Sequence, residues 1–265
     1  EEKNFNLLVE AKLGVTDEAK SKAYLRGETC QGIYLNFQNV LNSTRQKIPF
    51  GIAQIGKAFR NEITPKNFIF RTREFEQMEM QFFIPPDKKE ADKYFKYWKE
   101  QRLNWYLGLG IDKKNLRFRE HKDDERAHYA LAAEDIEYNT PFGGFKELEG
   151  VHNRGGWDIS RHSKYSGKDL GYLESDGTRI TPWIIETSAG ADRAFLMFLL
   201  DSYKEDKEKN RVYLSLHKSL VPVQVAVFPL LGNKPELTSK ARQVFDDLVK
   251  KGFIVEWDDR GNIGK

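Results

Sequence analysis

Arginine, carboxylate and phenylalanine recur in FRNEITPKNFIFRTREFEQMEMQFF, residues 59–83, where Arg60, Lys66, Arg71 and Arg73 supply the cations. A planar guanidinium grips phosphate oxygens through paired, charge-assisted hydrogen bonds. A phenyl ring offers a flat surface to a base, and a carboxylate accepts from an exocyclic amine. If the segment is two strands around a turn, side chains alternate between faces. Arg60 and Glu62 then point one way, and Arg73, Phe75, Gln77 and Glu79 share a face. That surface suits ATP. The same residues also suit a solvated hairpin laced with cross-strand ion pairs. The chain has no glycine-rich phosphate loop.

Three further groups invite chemistry. In IIETSAGADRAF, Glu186 and Ser188 share a strand face, Gly190 permits a tight entry into a helix, and Arg193 falls in its first turn. A helix start prefers acids, so this arginine is a local conflict that suggests use; an ordinary surface arginine is the alternative. In YLRGETCQG, Arg26 and Glu28 precede a helix that Thr29 could cap. In FKELEGVHNRGGWD, Glu147 and Glu149 alternate with apolar neighbours, as on a charged edge strand or beside Mg²⁺ and phosphate oxygens. The five histidines show no metal-ligand spacing, and Ser188 has no nucleophile-elbow motif around it.

Elements must position these groups. FNLLVEAKLG reads as a strand ending at Gly14, and IYLNFQNVLNSTRQK as a helix with Ile33, Phe37, Val40 and Leu41 on one side. FGIAQIGKAFRNE and EFEQMEMQFFI read as strands. Residues 90–109 form an amphipathic helix, and DERAHYALAAED a further one. DIEYNTPFG and GFKELEGVH read as strands, and ITPWIIETSAG as a strand running straight into the helix ADRAFLMFLLDSY. KEDKEKNR reads as a charged linker. PVQVAVFPLL then reads as a buried strand, followed by the helix ELTSKARQVFDDLVKKG and the strand FIVEWDD, a βαβ unit.

Composition supports a folded chain. Of 265 residues, 39% are hydrophobic and 13% aromatic, enough for a sizeable core. Charged residues make up 31% with a net charge of +3, so nucleic-acid binding must rest on local clusters. Cys30 is the single cysteine, which excludes an internal disulfide and a multi-cysteine zinc site and fits a cytoplasmic home. No apolar run reaches membrane-span length.

The segments PFGIAQIGKAFRNEITPKNFIFRTREFEQMEMQFF and ETSAGADRAFLMFLLDSY resemble motifs 2 and 3 of class II aminoacyl-tRNA synthetases. YLRGETCQGIYLNF and PFGGFKELEGVHNRGGWDIS are similar to the dimeric glycyl type, with Gly27 and Cys30 where that type usually has Pro and Ala. The resemblance implies an α/β (α+β) fold: a class II antiparallel sheet flanked by helices over residues 1–211. It implies the start of a mixed α/β anticodon-binding domain over 212–265. No motif 1 is found, so a partial chain is expected. It is expected to activate its substrate weakly alone and to be a homodimer at full length.

The roles implied by the resemblance are concrete. Arg60 would bind the α-phosphate and the amino-acid carboxylate, Arg193 the γ-phosphate, Glu62 the adenine amine, and Phe75 the ring. Asn61, Phe70, Arg71, Thr72, Arg73, Glu74, Glu147, Leu148, Gly190, Ala191 and Asp192 would complete the ATP site, with Glu147 holding Mg²⁺. Glu28, Phe75, Glu76, Gln77, Met78, Glu79, Arg154, Glu186, Thr187, Ser188, Ala189 and Gly190 would line a glycine pocket. The turn at 64–67, with Lys66 and Arg71, would meet the acceptor stem of tRNA. A non-catalytic synthetase-like nucleic-acid-binding protein, or a class II enzyme of another specificity, stays open as an alternative.

Overall fold

The computed structural model describes residues 6–16 and 21–260. Its elements in chain order are β1 (Glu10–Leu13), β2 (Ser21–Tyr24), α1 (Cys30–Thr44), β3 (Phe50–Phe59), β4 (Glu74–Ile84), α2 (Lys88–Gly108) and β5 (Leu116–Glu120). There follow β6 (Ala132–Thr140), β7 (Gly144–Gly155), α3 (Trp157–Ser166), β8 (Tyr172–Leu173), β9 (Arg179–Ile180), β10 (Trp183–Gly190) and α4 (Ala191–Ser202). The last are β11 (Tyr203–Asp206), β12 (Arg211–Leu214), β13 (Val225–Val227), α5 (Pro235–Lys250) and β14 (Val255–Trp257). The chain divides into two compact units, residues 1–203 and 204–265.

In the first unit a six-stranded sheet runs in the order β3-β4-β10-β7-β6-β5, every pair antiparallel. One face packs on α2 and α4. Ile84, Ala91 and Ile185 meet there with Phe82 and Trp98. Further along the same face, Tyr106, Ile136, Leu148, Ala194 and Met197 form a second cluster. The opposite face changes character along β4 and β10. At one end Phe83 and Ile184 lie under Cys30, Ile33, Tyr34 and Phe37 of α1 and Ile159 of α3. Toward the other end the same face carries Gln81 beside Glu186 and Glu79 beside Ser188. Strand alternation thus places a buried acidic floor next to an apolar one.

Local chemistry sets the boundaries. Asp87 accepts from the Glu90 backbone N–H at 2.9 Å and starts α2. Arg45 ends α1 in the left-handed conformation, and Gly155 (φ +56°) turns β7 into α3.

Several expectations are corrected. The helix read over 124–135 is a turn followed by the first residues of β6. Ala132 and Ala133 alternate faces there against Asn153 and His152 of β7, so sheet pairing overrides helical propensity. α3 was not foreseen; WDIS opens a helix rather than prolonging a strand. The strand read from Phe5 to Gly14 is observed only as β1, Phe5 lying outside the described residues.

In the second unit, the segment read as a charged linker pairs as β11 and β12. The apolar stretch 222–231 forms a strand over Val225–Val227 alone, Pro229 following closely. β13 pairs parallel with β14, and α5 connects them, as the βαβ reading expects.

Candidate active site

Two clefts open on the acidic face and share Arg60, Gln77, Glu147 and Ser188. The first, about 550 Å³ to its open mouth, is lined by Arg60, Glu62, Phe70, Arg71, Thr72, Phe75, Gly190, Asp192 and Arg193 among others. β3 stops at Phe59, so Arg60 and Glu62 leave from a loop rather than a strand, yet both reach this cleft. Arg60 Nε donates to the Gly27 carbonyl at 3.1 Å, and its guanidinium lies 5.5 Å from the Phe75 ring centroid. Arg193 donates to the carbonyls of Phe70 (3.3 Å) and Glu147 (2.9 Å) and covers the Phe70 ring at 4.5 Å. These tertiary anchors hold a cation at a helix start that the dipole alone disfavours.

Other predicted nucleotide residues brace the cleft from behind or, like Asp192, at its edge. Arg73 Nε donates to the Glu62 carbonyl at 3.0 Å and braces the loop, while Glu74 pairs with Lys57 at the surface. Asn61 turns to Asn6, donating to its carbonyl at 3.2 Å. Asp192 accepts from the Glu76 backbone N–H at 2.8 Å and ties α4 to β4, and Ala191 opens that helix next to Gly190.

The second cleft is lined by Glu28, Glu79, Tyr129, Asp135, His152 and Glu186 besides the shared residues. Glu79 is 4% exposed. It accepts from Thr29 Oγ1 at 2.6 Å, Gln77 Nε2 at 2.8 Å and Ser188 Oγ at 2.9 Å. Thr29 therefore serves Glu79 and makes no side-chain cap for α1. Burial, reinforced by the Glu186 charge, pushes the Glu79 carboxyl well above the usual carboxylate range. Glu186, 3% exposed, is treated differently. Arg154 Nη1 donates to both its oxygens at 3.0 and 3.1 Å, Gln81 Nε2 donates at 2.6 Å, and His152 Nδ1 lies 2.8 Å away. Burial alone would raise this carboxyl; the Arg154 charge and the His152 and Gln81 contacts outweigh it and hold Glu186 low. His152 is likewise raised, its desolvation overcome by Glu186.

Several residues expected at the amino-acid site do not face it. Arg154 is 2% exposed, and its guanidinium is bonded to Glu186 and Asp158. Met78 joins the core on the α2 face, and Glu76 pairs across from Lys57 at the surface. Thr187 lies opposite Met80 on that same far face, and Ala189 follows it there, reaching the cleft edge beside Gly190. Leu148, expected at the ATP site, is buried against Tyr106 and Ile136. A register shift in β7 at this point separates Glu147 from Glu149. Glu147 lines both clefts and pairs with Arg193 at 3.3 Å; Glu149 bonds Arg102 and Tyr106 of α2 behind the sheet. Sequence reasoning missed His152, Gln81 and Asp158. Alternation offered a signal for two of them, since His152 shares a face with Arg154 and Gln81 with Glu79.

A buried anionic pocket, lined by Glu28, Glu79 and Glu186 with Arg60 on its wall, matches a ligand ammonium. A neighbouring cleft lined by arginines and phenylalanines matches a purine polyphosphate. Arg60 borders both, where a carboxylate and a phosphate would meet.

Comparison with known proteins places the chain in a family. Residues 10–203 match the tRNA synthetase class II core domain (G, H, P, S and T). The chain is 49% identical to a glycine–tRNA ligase of Borrelia hermsii over 99% of its length and 60% of that protein's. It is 50% identical to the Streptomyces coelicolor glycine–tRNA ligase, covering all of this chain and 59% of that one. The chain thus spans about three fifths of the length of these relatives. Among solved structures, prolyl-tRNA synthetase from Cryptosporidium parvum complexed with halofuginone and AMPPNP superposes with a TM-score of 0.72 at 20% identity. That match covers 97% of this chain and 49% of the other and shows the shared fold.

Proposed function

We propose that this chain, which belongs to the class II tRNA synthetase core family, is the catalytic part of a glycine–tRNA ligase. The observation that carries the reading is Arg60 on the wall between an arginine-lined cleft and a buried carboxylate pocket. Relatives named glycine–tRNA ligase at about half identity support it.

In this reading ATP occupies the first cleft. Phe75 stacks on adenine, Glu62 accepts from its amine, and Arg193 holds the γ-phosphate. Glycine binds with its ammonium toward Glu28, Glu79, Glu186 and Ser188 and its carboxylate toward Arg60. A carboxylate oxygen attacks the α-phosphorus in line, the bond to the bridging oxygen breaks, and pyrophosphate leaves with that oxygen. Fixed arginines offset the negative charge that gathers in the transition state. The 3′-terminal ribose hydroxyl of tRNA then attacks the carbonyl of the adenylate and AMP departs. No side-chain nucleophile is needed.

Mg²⁺ fits the exposed Glu147 carboxylate, because this ion takes one or two carboxylates plus phosphate oxygens and would neutralise phosphate charge. The ligand atoms of Cys30, Glu79 and Glu186 also lie within 4.8 Å of one another. They do not suit Mg²⁺, because burial pushes the Cys30 thiol up and keeps it protonated.

The partners in this reading are glycine, ATP and tRNA, the full-length protein is a cytoplasmic homodimer, and the second unit begins an anticodon-binding domain. Among the described residues no helix is long and apolar enough to cross a membrane. The test is ATP–pyrophosphate exchange by the full-length protein with each of the twenty amino acids. Exchange driven by glycine alone is expected; exchange driven by another amino acid, or none, rejects the reading.

A further inference from the structure

Helix α3 has two handles on the amino-acid pocket. Asp158 holds Arg154 at 2.7 and 2.9 Å, and Arg154 holds both oxygens of Glu186. One turn later on the same helix, His162 Nε2 lies 2.8 Å from Gln31 Oε1. Gln31 Nε2 in turn donates to Glu28 Oε1 at 3.1 Å. Residues four apart share one helix face, so Asp158 and His162 lie side by side, each bonded to a residue that in turn holds a pocket carboxylate. Ile159, fully buried among Cys30, Ile33 and Tyr34, fastens this face of α3 to α1.

The proton direction follows from the partners. Gln31 spends its amide N–H on a carboxylate that can only accept, so its carbonyl oxygen receives the N–H of His162 Nε2. The histidine ring also lies against Tyr34, with centroids 5.8 Å apart. Tyr34 donates its hydroxyl to Gln81 at 2.9 Å, and Gln81 donates to Glu186. Glu28 and Glu186 thus trace back to a single helix by separate routes. His162 itself does not line the pocket. It borders a different cleft, lined by Gln31 of α1 and by Trp157, Arg161 and Tyr165 of α3. Its influence on a bound amino acid must pass through Gln31.

We propose that His162 is a positioning residue for amino-acid binding: through Gln31 it presets the Glu28 carboxylate beside Glu186, so that both meet one ammonium group. The proposal rests on the glycine-pocket reading above. A free glutamate side chain must give up rotamer freedom when it takes a ligand. The Gln31 amide removes that freedom beforehand, and His162 removes it from Gln31. Glycine needs this more than a larger amino acid would, because it offers its protein only two charged ends.

The test uses the full-length enzyme and glycine-dependent ATP–pyrophosphate exchange. His162→Phe keeps a ring against Tyr34 but has no donor. It is expected to raise KM for glycine roughly three- to ten-fold, as the loss of one preset side chain implies. kcat, KM for ATP and the melting temperature should stay at wild-type values. His162→Gln returns a donor amide and should restore KM for glycine. Gln31→Leu should match or exceed the phenylalanine variant, and combining the two should add nothing to Gln31→Leu. An unchanged KM for glycine in His162→Phe overturns the proposal. So does an equal rise in both Michaelis constants with a lower melting temperature, which marks a merely structural histidine. A wild-type enzyme without glycine-dependent exchange overturns the functional reading itself, and that result is read before any variant.

Discussion

The two clefts share a wall but anchor their charges in opposite ways. In the arginine-lined cleft the cations hang on backbone carbonyls: Arg60 on Gly27, Arg193 on Phe70 and Glu147. These side chains are half-buried and keep N–H groups for a ligand. Behind the acidic pocket, Arg154 and Asp158 are buried and bonded in a chain with Glu186. Charge in the first cleft is available, and its loss should cost function. Charge in the second belongs to the fold, and its loss should cost stability first.

The largest test of that contrast is Arg154→Met. It leaves Glu186 and Asp158 buried without their cation, and breaking such a pair costs ~3–5 kcal/mol. Urea unfolding of the full-length protein should show that loss, with glycine activation gone as well. Next, Arg60→Ala or Arg193→Ala should lower kcat/KM for exchange by ~2–4 kcal/mol in transition-state stabilisation, with unfolding curves close to wild type. Near-normal exchange in either variant, or unfolding losses as large as those of Arg154→Met, would erase the distinction between the clefts.

Glu186→Gln should be smaller and selective. It exchanges a charged acceptor for a neutral one, so KM for glycine should rise about tenfold while KM for ATP holds. Equal effects on the two substrates would move the boundary drawn at Arg60.

The smallest effect is on pH dependence. Glu79 binds its proton more tightly folded than unfolded, so its contribution to stability is present at acid pH. That contribution declines as pH rises from the ordinary carboxylate range toward neutrality. An ammonium favours the ionised form, so KM for glycine should fall over the same window. Glu79→Gln should flatten the stability profile; a profile that stays sloped assigns the titration to another group.

What the sequence disclosed follows the range of the interactions. β4, β10 and α4 were legible because alternation and helical spacing are local, and the resemblance located Arg60, Phe75 and Arg193 on them. α3 was not, because Ile159 is its one buried apolar residue and its other buried side chain is Asp158. No apolar period marks such a helix. The reassignment of Arg154 from ligand contact to brace was equally hidden. It depends on Glu186, 32 residues away in sequence, reaching the same buried spot. Met78 and Glu76, by contrast, could have been removed from the pocket by strict alternation from Gln77 and Glu79.

The irregularity at Leu148 makes β7 a strand with two parities. Before it, the odd-numbered Glu147 looks into the clefts; after it, the even-numbered Gly150 and His152 do. A ruler-straight strand could present the phosphate-side carboxylate or the residues wired to Glu186, but not both on one surface. One surplus residue works as a phase shifter, letting a single strand line both clefts. Deleting Leu148 should bring Glu147 directly before Glu149 in regular alternation, so that Glu147 keeps the cleft face and Glu149 keeps Tyr106, and the loss is confined to the packing of Leu148 against Tyr106 and Ile136.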